Sequence, residues 1–233
     1  MLRTIAGRND PHPNGGRYRV HMNSRVAAIL FRLSFAVLSL SAVAWQFFAG
    51  TVASGHSILN FFCYFTNLSN ILISIVFIAS AVRLIRRRAD PSETLVSIRG
   101  GAVVYIVFVG IVFNTILAAG DIGAIFPWVN VVVHMIVPVA GLVDWIIWSP
   151  RRRLPFRVTL WWMVWPVVYS IFSLVRGAIS GFYPYPFYNP AVSGGYGGVA
   201  LWCVGLVVGF FVLAVAVWAI GNARHARAMT ARA

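Results

Sequence analysis

The sequence predicts an all-α fold: a polytopic membrane protein with six transmembrane helices in one bundle and both termini in the cytoplasm. Of its 233 residues, 60% are apolar and 10% are charged, and the mean hydropathy is +0.81, which excludes an ordinary soluble domain. The chain contains six apolar runs, and each supplies the roughly 20 residues with which a helix crosses about 30 Å of hydrocarbon. All 19 basic residues are arginines, for a net charge of +14, and most of them lie between these runs or at the two ends of the chain. This placement indicates membrane topology and attraction to anionic headgroups rather than nucleic-acid binding.

The six spans are expected near residues 26–49, 58–85, 98–119, 127–148, 158–180 and 197–220. Segments that combine Gly, Pro or Ser with charge or turn signals separate them. The spans form a membrane domain over residues 25–220, between a disordered basic cytoplasmic arm (1–24) and a basic cytoplasmic tail (221–233). Arginines flank the second and fourth connections and both ends of the chain, whereas the other connections contain none. Both termini are therefore predicted to lie inside.

The second span carries a stripe of polar side chains that should face the bundle. Spacings of i, i+3, i+4, i+7 and i+11 place five residues along one side of a helix. Unpaired amides are costly in hydrocarbon, so the asparagines need partners or water within the bundle. Contact between helices is the simpler interpretation, because Ser, Thr and Asn have that role in many membrane proteins. The five residues are Cys63, Thr66, Asn67, Asn70 and Ser74.

The expected depths of several polar residues below the external ends of their spans favour a functional role for them. Thr66 lies eight residues into the second span and His134 seven residues into the fourth. Both spans run inward, so both residues are expected roughly 10 to 12 Å below the external end. Asn114 is expected at roughly 7 to 8 Å from the same side, and Asn130 and Arg176 fall in the same outer half. Ionisable residues inside a membrane indicate function by default.

These residue types predict ester hydrolysis. A threonine hydroxyl attacks an ester only with a base in hydrogen-bond reach and donors for the developing oxyanion. His134 supplies the base, oriented by an Asn or a carbonyl, and returns the proton to the leaving alcohol. Arg176 would hold a carboxylate or phosphate if it faces the layer. An equally favoured interpretation is that its side chain extends to the lipid headgroups at the outer surface. Cys63 is a rival nucleophile whose simpler role is a packed thiol. The candidate substrate-binding or oxyanion residues are Asn67, Asn70, Asn114, Asn130 and Arg176.

Other notable residues indicate structure rather than chemistry. Arg32 is six residues into the first span and Asp144 is four from the end of the fourth. Similar depths predict a buried ion pair that fixes helix register. Cys63 and Cys203 lie in apolar segments without metal-ligand spacing. We therefore expect no disulfide, no metal and no cofactor.

Two short motifs carry a family resemblance. FFCYFTNLSN in the second span and VNVVVHMIVP in the fourth, with the six-span plan, resemble the androgen-induced and androgen-dependent integral membrane threonine hydrolases and their bacterial six-span relatives. The likeness covers most of residues 26–220, and the YPYPF motif at residues 183–187 is similar to the bacterial branch. In that family a Thr in the second span and a His in the fourth hydrolyse esters of branched hydroxy fatty acids, and the resemblance implies these catalytic roles for Thr66 and His134, with a lipidic ester as the substrate class. It also implies a bacterial cytoplasmic membrane as the location and lipids as the partners.

Three other functions fit the same polar layer. In a small-solute or proton-coupled transporter the layer would bind solute, and His134 would titrate near neutral pH. A haem-binding electron carrier would normally need paired axial ligands, and His134 is the one histidine well inside a span. A noncatalytic membrane scaffold needs only polar contacts between helices. A hydrolase is favoured because a hydroxyl and an imidazole are expected in one layer.

Overall fold

A computed structural model of the chain describes residues 15–88, 91–120, 125–150 and 152–230, without the side chains of residues 15–22 and 224–230. Within these ranges every regular element is a helix. Six helical segments are long and apolar enough to cross a membrane. The predicted all-α bundle of six spans is confirmed, and the protein is an integral membrane protein.

The helices follow one another through short connections. The first span is α1, Gly15–Trp45, which continues as a π-helical segment over Gln46–Val52. The fourth span consists of α5, a π-helical segment and α6 in succession. The elements after the first span are α2 (Ile58–Phe62), α3 (Phe65–Ile85), α4 (Glu93–Val112) with a π-helical segment (Phe113–Leu117), α5 (Pro127–Val131), a π-helical segment (Val132–Ile136), α6 (Val137–Ile147), α7 (Arg157–Ser180), a 3₁₀ turn (Pro186–Tyr188) and α8 (Gly195–Thr230).

The first and last helices extend beyond their predicted ends. Because α1 begins at Gly15, residues 15–24 are helical rather than part of a disordered arm, and residues 1–14 lie outside the described residues. Similarly, α8 continues to Thr230 through most of the predicted tail, of which residues 231–233 lie outside. The composition explains the second extension, since residues 221–230 are rich in alanine and arginine, which are strong helix formers.

The third span is the centre of the bundle. Helix α4 contacts α3, α6, α7 and α8. In the most apolar part of its span 67% of the residues are buried, compared with 17% in the sixth span, which lies at the periphery. Helix α4 is therefore the element against which the other spans are positioned.

A glycine allows α4 to approach the fourth span closely. A Cβ atom at Gly110 would lie 2.8 Å from Cβ of Pro138 and 3.2 Å from the carbonyl oxygen of His134. One turn further along, Phe113 stacks on the imidazole of His134, with ring centroids 3.7 Å apart and planes inclined by 11°. The close helix contact thus fixes the plane of the imidazole.

A buried cluster of three charges joins the spans at the other end. Asp144 is fully buried, and its Oδ1 lies 2.7 Å from Nε of Arg32, as the similar depths predict. Its Oδ2 lies 2.6 Å from Nη2 of Arg99, a second partner that the sequence analysis did not select. Arg99 also donates to the carbonyl oxygen of Trp148 at 2.9 Å. One carboxylate therefore joins the first, third and fourth spans.

Asp144→Asn is expected to destabilise the protein more than Arg32→Ala does. The first change leaves two buried guanidinium groups without a counter-charge, whereas the second leaves Asp144 paired with Arg99. Breaking such a buried pair costs about 3–5 kcal/mol. Thermal unfolding of the detergent-purified variants measures the effect.

The matched control is Arg157→Ala, because Arg157 and Glu93 form a pair at 3.4 Å that is largely exposed. Such a pair contributes about 0–1 kcal/mol. Equal melting temperatures for Asp144→Asn and Arg157→Ala would contradict a structural role of the buried cluster.

Candidate functional site

The second span is not one continuous helix. Helix α2 ends at Phe62 and α3 begins at Phe65. Tyr64 between them is extended, with φ −80° and ψ 124°. The polar stripe predicted from Cys63 onward therefore holds only within α3, and Thr66 is the second residue of that helix rather than the ninth residue of a longer one.

Side chains replace the backbone hydrogen bonds that this break removes. The hydroxyl of Tyr169 donates to the carbonyl oxygen of Cys63 at 2.7 Å and accepts from the backbone N–H of Phe65 at 3.2 Å. The amide of Asn67 donates to the carbonyl oxygen of Phe61 at 2.8 Å. Inside a membrane, irregular backbone is tolerated only where such partners satisfy it. Asn67 is therefore a structural residue of the break.

The external loop supplies the next partner. The backbone N–H of Thr66 donates to the hydroxyl of Tyr185 at 3.2 Å. The same hydroxyl lies 3.3 Å from Oγ1 of Thr66. Tyr185 belongs to the YPYPF motif, so this motif reaches the candidate nucleophile rather than only forming an interfacial aromatic belt.

The fourth span has its own irregularity, centred on His134. The π-helical segment Val132–Ile136 displaces the hydrogen-bond register, and the N–H of Val137 donates to Val132 instead of Val133. The amide of Asn70 donates to the carbonyl oxygen of Val133, which this shift leaves free, at 3.3 Å. A π-bulge of this kind is frequent at functional sites.

A proline removes a further donor beside the imidazole. The carbonyl oxygen of His134 would normally accept from the residue four positions on, which is Pro138 and has no N–H. The amide of Asn114 takes that place, donating to this oxygen at 3.0 Å and to the carbonyl oxygen of Gly110 at 2.7 Å. Asn70 and Asn114 are therefore occupied by backbone carbonyls around the site.

These irregular segments bring Thr66 and His134 together. Oγ1 of Thr66 lies 3.5 Å from Nε2 of His134, at the outer limit of a hydrogen bond. Nδ1 of His134 lies 2.7 Å from Oδ1 of Asn130, one turn earlier in the fourth span. An amide oxygen only accepts, so Nδ1 carries the proton and Nε2 is a free acceptor that faces the hydroxyl. Bonds between nucleophile and base are often this long until substrate is present.

An apolar cavity opens beside the hydroxyl. The cavity volume is about 60 Å³. The third, fifth and sixth spans and the external loop provide most of its walls. Thr66 and Tyr185 provide polar groups at one end, whereas Met163, Phe108 and Phe210 line the part nearest the middle of the bundle.

The remaining candidate residues do not join this site. Arg176 does not border the cavity; its Nη2 donates to Oδ1 of Asn60 at 2.8 Å, and its guanidinium lies 4.9 Å from the ring centroid of Phe182. Cys63 is a buried free thiol at the helix break, and Cys203 is also free. In the described parts of the chain, no three His, Cys, Asp or Glu side chains gather as metal ligands would.

Comparisons with known proteins do not assign a family. No family model matches the chain, and no curated protein or solved structure matches it either. Any function therefore has to be argued from the arrangement of Thr66, His134, Asn130 and Tyr185 at the cavity.

Burial raises the pKa of the Tyr185 phenol, although its hydrogen bonds with Thr66 oppose the shift. The hydroxyl therefore stays protonated at neutral pH and remains able to donate. Sequence reasoning did not select Tyr185 as a site residue, because the loop follows the fifth span and spacing along the chain gives no measure of its distance from the second. The proline-flanked tyrosine in YPYPF was the one available signal.

Asn70→Leu is expected to destabilise the fold although its shape is nearly conserved. The change leaves the carbonyl oxygen of Val133 without its donor and removes one of the two acceptors of Ser39, the Oδ1 of Asn70 at 3.2 Å. Leaving such buried groups unpaired costs about 1–3 kcal/mol. The melting temperature in detergent measures the loss. Thr115→Val is the control, because this exposed hydroxyl bonds only within its own helix; an equal melting temperature for the two variants would refute the role of Asn70.

Proposed function

We propose that the protein hydrolyses lipidic esters within the membrane, with Thr66 as nucleophile and His134 as general base. The observation that carries the proposal is the position of Thr66: its hydroxyl borders an apolar cavity while Nε2 of His134 lies 3.5 Å away. The likeness of the two span motifs to integral membrane threonine hydrolases points to the same chemistry, and membership of that family is part of this proposal.

Each group of the dyad has a defined task. His134 takes the proton of the Thr66 hydroxyl as Oγ1 bonds to the ester carbon, and then gives it to the leaving alcohol as the C–O bond breaks. Water, activated by the same imidazole, hydrolyses the resulting acyl-threonine. Asn130 holds the ring with Nδ1 protonated, and the stacked Phe113 fixes the ring plane. These contacts orient Nε2 without a carboxylate.

The first turn of α3 adds a favourable electrostatic contribution. Thr66 is the second residue of a helix of 21 residues. The partial positive charge at a helix N-terminus stabilises negative charge within the first turn. It therefore favours proton loss from the Thr66 hydroxyl, which is otherwise a weak nucleophile.

The cavity favours an ester with an apolar chain. Its walls are almost entirely aromatic and aliphatic, as expected of a site that takes an apolar ligand and orients it with few polar groups. Along the third span it extends from Leu117 to Phe108, a helix rise of about 13 Å. The arginine distribution favours an external position for the Thr66 end of the bundle, so in a bacterial cytoplasmic membrane lipids of the outer leaflet would reach it most directly.

Covalent labelling tests the nucleophile. A lipophilic fluorophosphonate is expected to modify Thr66 in detergent-purified protein, with the adduct located by mass spectrometry. Thr66→Val keeps the shape without the hydroxyl and should abolish labelling and ester turnover, whereas Thr66→Ser should retain part of both. His134→Ala should slow labelling by about 10²- to 10⁴-fold, the contribution of a general base.

Asn130→Ala should lower the labelling rate less than His134→Ala does, because the imidazole remains but is no longer oriented. Labelling rates are compared only among variants whose melting temperature equals that of the wild type. Labelling that persists in Thr66→Val, or folded wild-type protein that neither labels nor turns over any lipid ester, would refute the proposed function.

The cavity predicts chain-length selectivity that a single residue can change. Met163 is the cavity-lining residue nearest the start of α7, and Met163→Trp fills part of the cavity there, so turnover of long-chain p-nitrophenyl esters should fall at least tenfold relative to short-chain esters. Leu160→Trp is the control, since Leu160 lies on the same helix, is 58% exposed and does not border the cavity. A parallel loss for short and long chains in Met163→Trp would contradict a chain-binding role.

A further inference from the structure

The dyad alone leaves the oxyanion of an ester without an assigned donor. None of the four candidate asparagines borders the cavity, and the amides of Asn67, Asn70 and Asn114 donate to backbone carbonyls. The first two N–H groups of α3 donate to the hydroxyls of Tyr169 and Tyr185. Neither these amides nor these backbone N–H groups are free to donate to the oxyanion, so the donor has to be another described group that contacts Thr66.

The hydroxyl of Tyr185 carries such a proton. A backbone N–H only donates, so the Tyr185 oxygen accepts the bond from Thr66 N–H and its own hydrogen points away. When Oγ1 of Thr66 donates to Nε2 of His134, it accepts this hydrogen across 3.3 Å. The resulting chain runs in one direction from the backbone N–H through both hydroxyls to the imidazole.

The loop holds this hydroxyl in a fixed position. The ring of Tyr185 stacks on Phe187 at 5.1 Å between centroids, and Phe187 is buried. Oγ of Ser193 donates to the carbonyl oxygen of Pro186 at 2.9 Å, and Tyr188 hydrogen-bonds Ser170 of α7 at 2.7 Å. The hydroxyl is therefore preorganised, the condition under which a donor to an oxyanion is most effective.

We propose that Tyr185 is a catalytic residue that donates its phenolic hydrogen to the carbonyl oxygen of the ester during attack by Thr66. This inference rests on the proposed function. As Oγ1 bonds to the carbonyl carbon, the π electron pair moves to the carbonyl oxygen and the Thr66 proton moves to His134. Tyr185 keeps its proton and transfers its hydrogen bond from Oγ1 to the new oxyanion, which is bonded to the carbon that Oγ1 has attacked. When the oxyanion collapses, the C–O bond of the ester breaks, the leaving alcohol takes the proton from His134, and Tyr185 is left hydrogen-bonded to the neutral carbonyl of the acyl-threonine.

Tyr185→Phe is expected to lower kcat by about 10²- to 10³-fold, the usual effect of removing one oxyanion donor. KM should change little, because the aromatic wall of the cavity is retained. The matched control is Tyr183→Phe, which makes the same change two residues away at a side chain that does not border the cavity. Its kcat and melting temperature should equal those of the wild type.

A second measurement separates donation from a structural role. Replacing Tyr185 by 3,5-difluorotyrosine preserves its shape and lowers the pKa of the phenol. Since a phenolate cannot donate, the alkaline limb of the kcat–pH profile should move to lower pH, while the melting temperature stays the same. The same amino acid at position 183 should leave the profile unchanged.

The outcomes separate the two proposals. An unchanged kcat in Tyr185→Phe, or an unshifted alkaline limb in the fluorinated protein, would overturn the role of Tyr185 while leaving the Thr66 and His134 dyad intact. Absence of labelling and turnover in folded wild-type protein would instead refute the proposed function itself, before any variant is compared.

Discussion

In hydrocarbon an unpaired backbone N–H or C=O costs several kcal/mol, and this constraint determines where the polar side chains of the bundle lie. The second span breaks at residues 63–64, and the fourth shifts register at the π-helical segment that contains His134. Each irregularity frees backbone groups, and amides or tyrosine hydroxyls from neighbouring spans pair with them. The irregular backbone and the polar residues therefore require one another, and the candidate dyad lies where the two irregularities meet.

Much of the helical bundle could be predicted, because hydropathy reports directly on lipid exposure. Depth also indicated that Thr66 and His134 share one layer, although the count assumed a continuous second span, and it left open whether the two side chains face each other. Residues 58–66 contain neither proline nor glycine, so nothing local in the sequence marks the break. It is stabilised by Tyr169, more than 100 residues later. A break fixed by such distant contacts cannot be read from spacing.

The roles of the asparagines show a second limit of sequence reasoning. Asn67, Asn70 and Asn114 were candidates for substrate binding, yet each donates to a backbone carbonyl. The expected depth of a side chain in the membrane assigns it to a layer, but it does not identify the group to which that side chain hydrogen-bonds. Pro138 was the available clue, since its missing N–H requires a replacement donor for the carbonyl four residues earlier. Arg99 was missed for a related reason: at the edge of the third span it indicated topology, and depth did not show that it reaches Asp144.

The absence of a carboxylate from the dyad fits its surroundings. A buried charge near His134 would need its own partners, and in this bundle the buried carboxylate Asp144 is matched by two arginines at the opposite end. Asn130 orients the imidazole through a neutral acceptor instead, which avoids the desolvation of an ion beside an apolar cavity. A neutral orienter stabilises the imidazolium less than a carboxylate would. The helix N-terminus beside Thr66 offsets part of that difference, because it favours the negative charge that forms as the proton moves to His134.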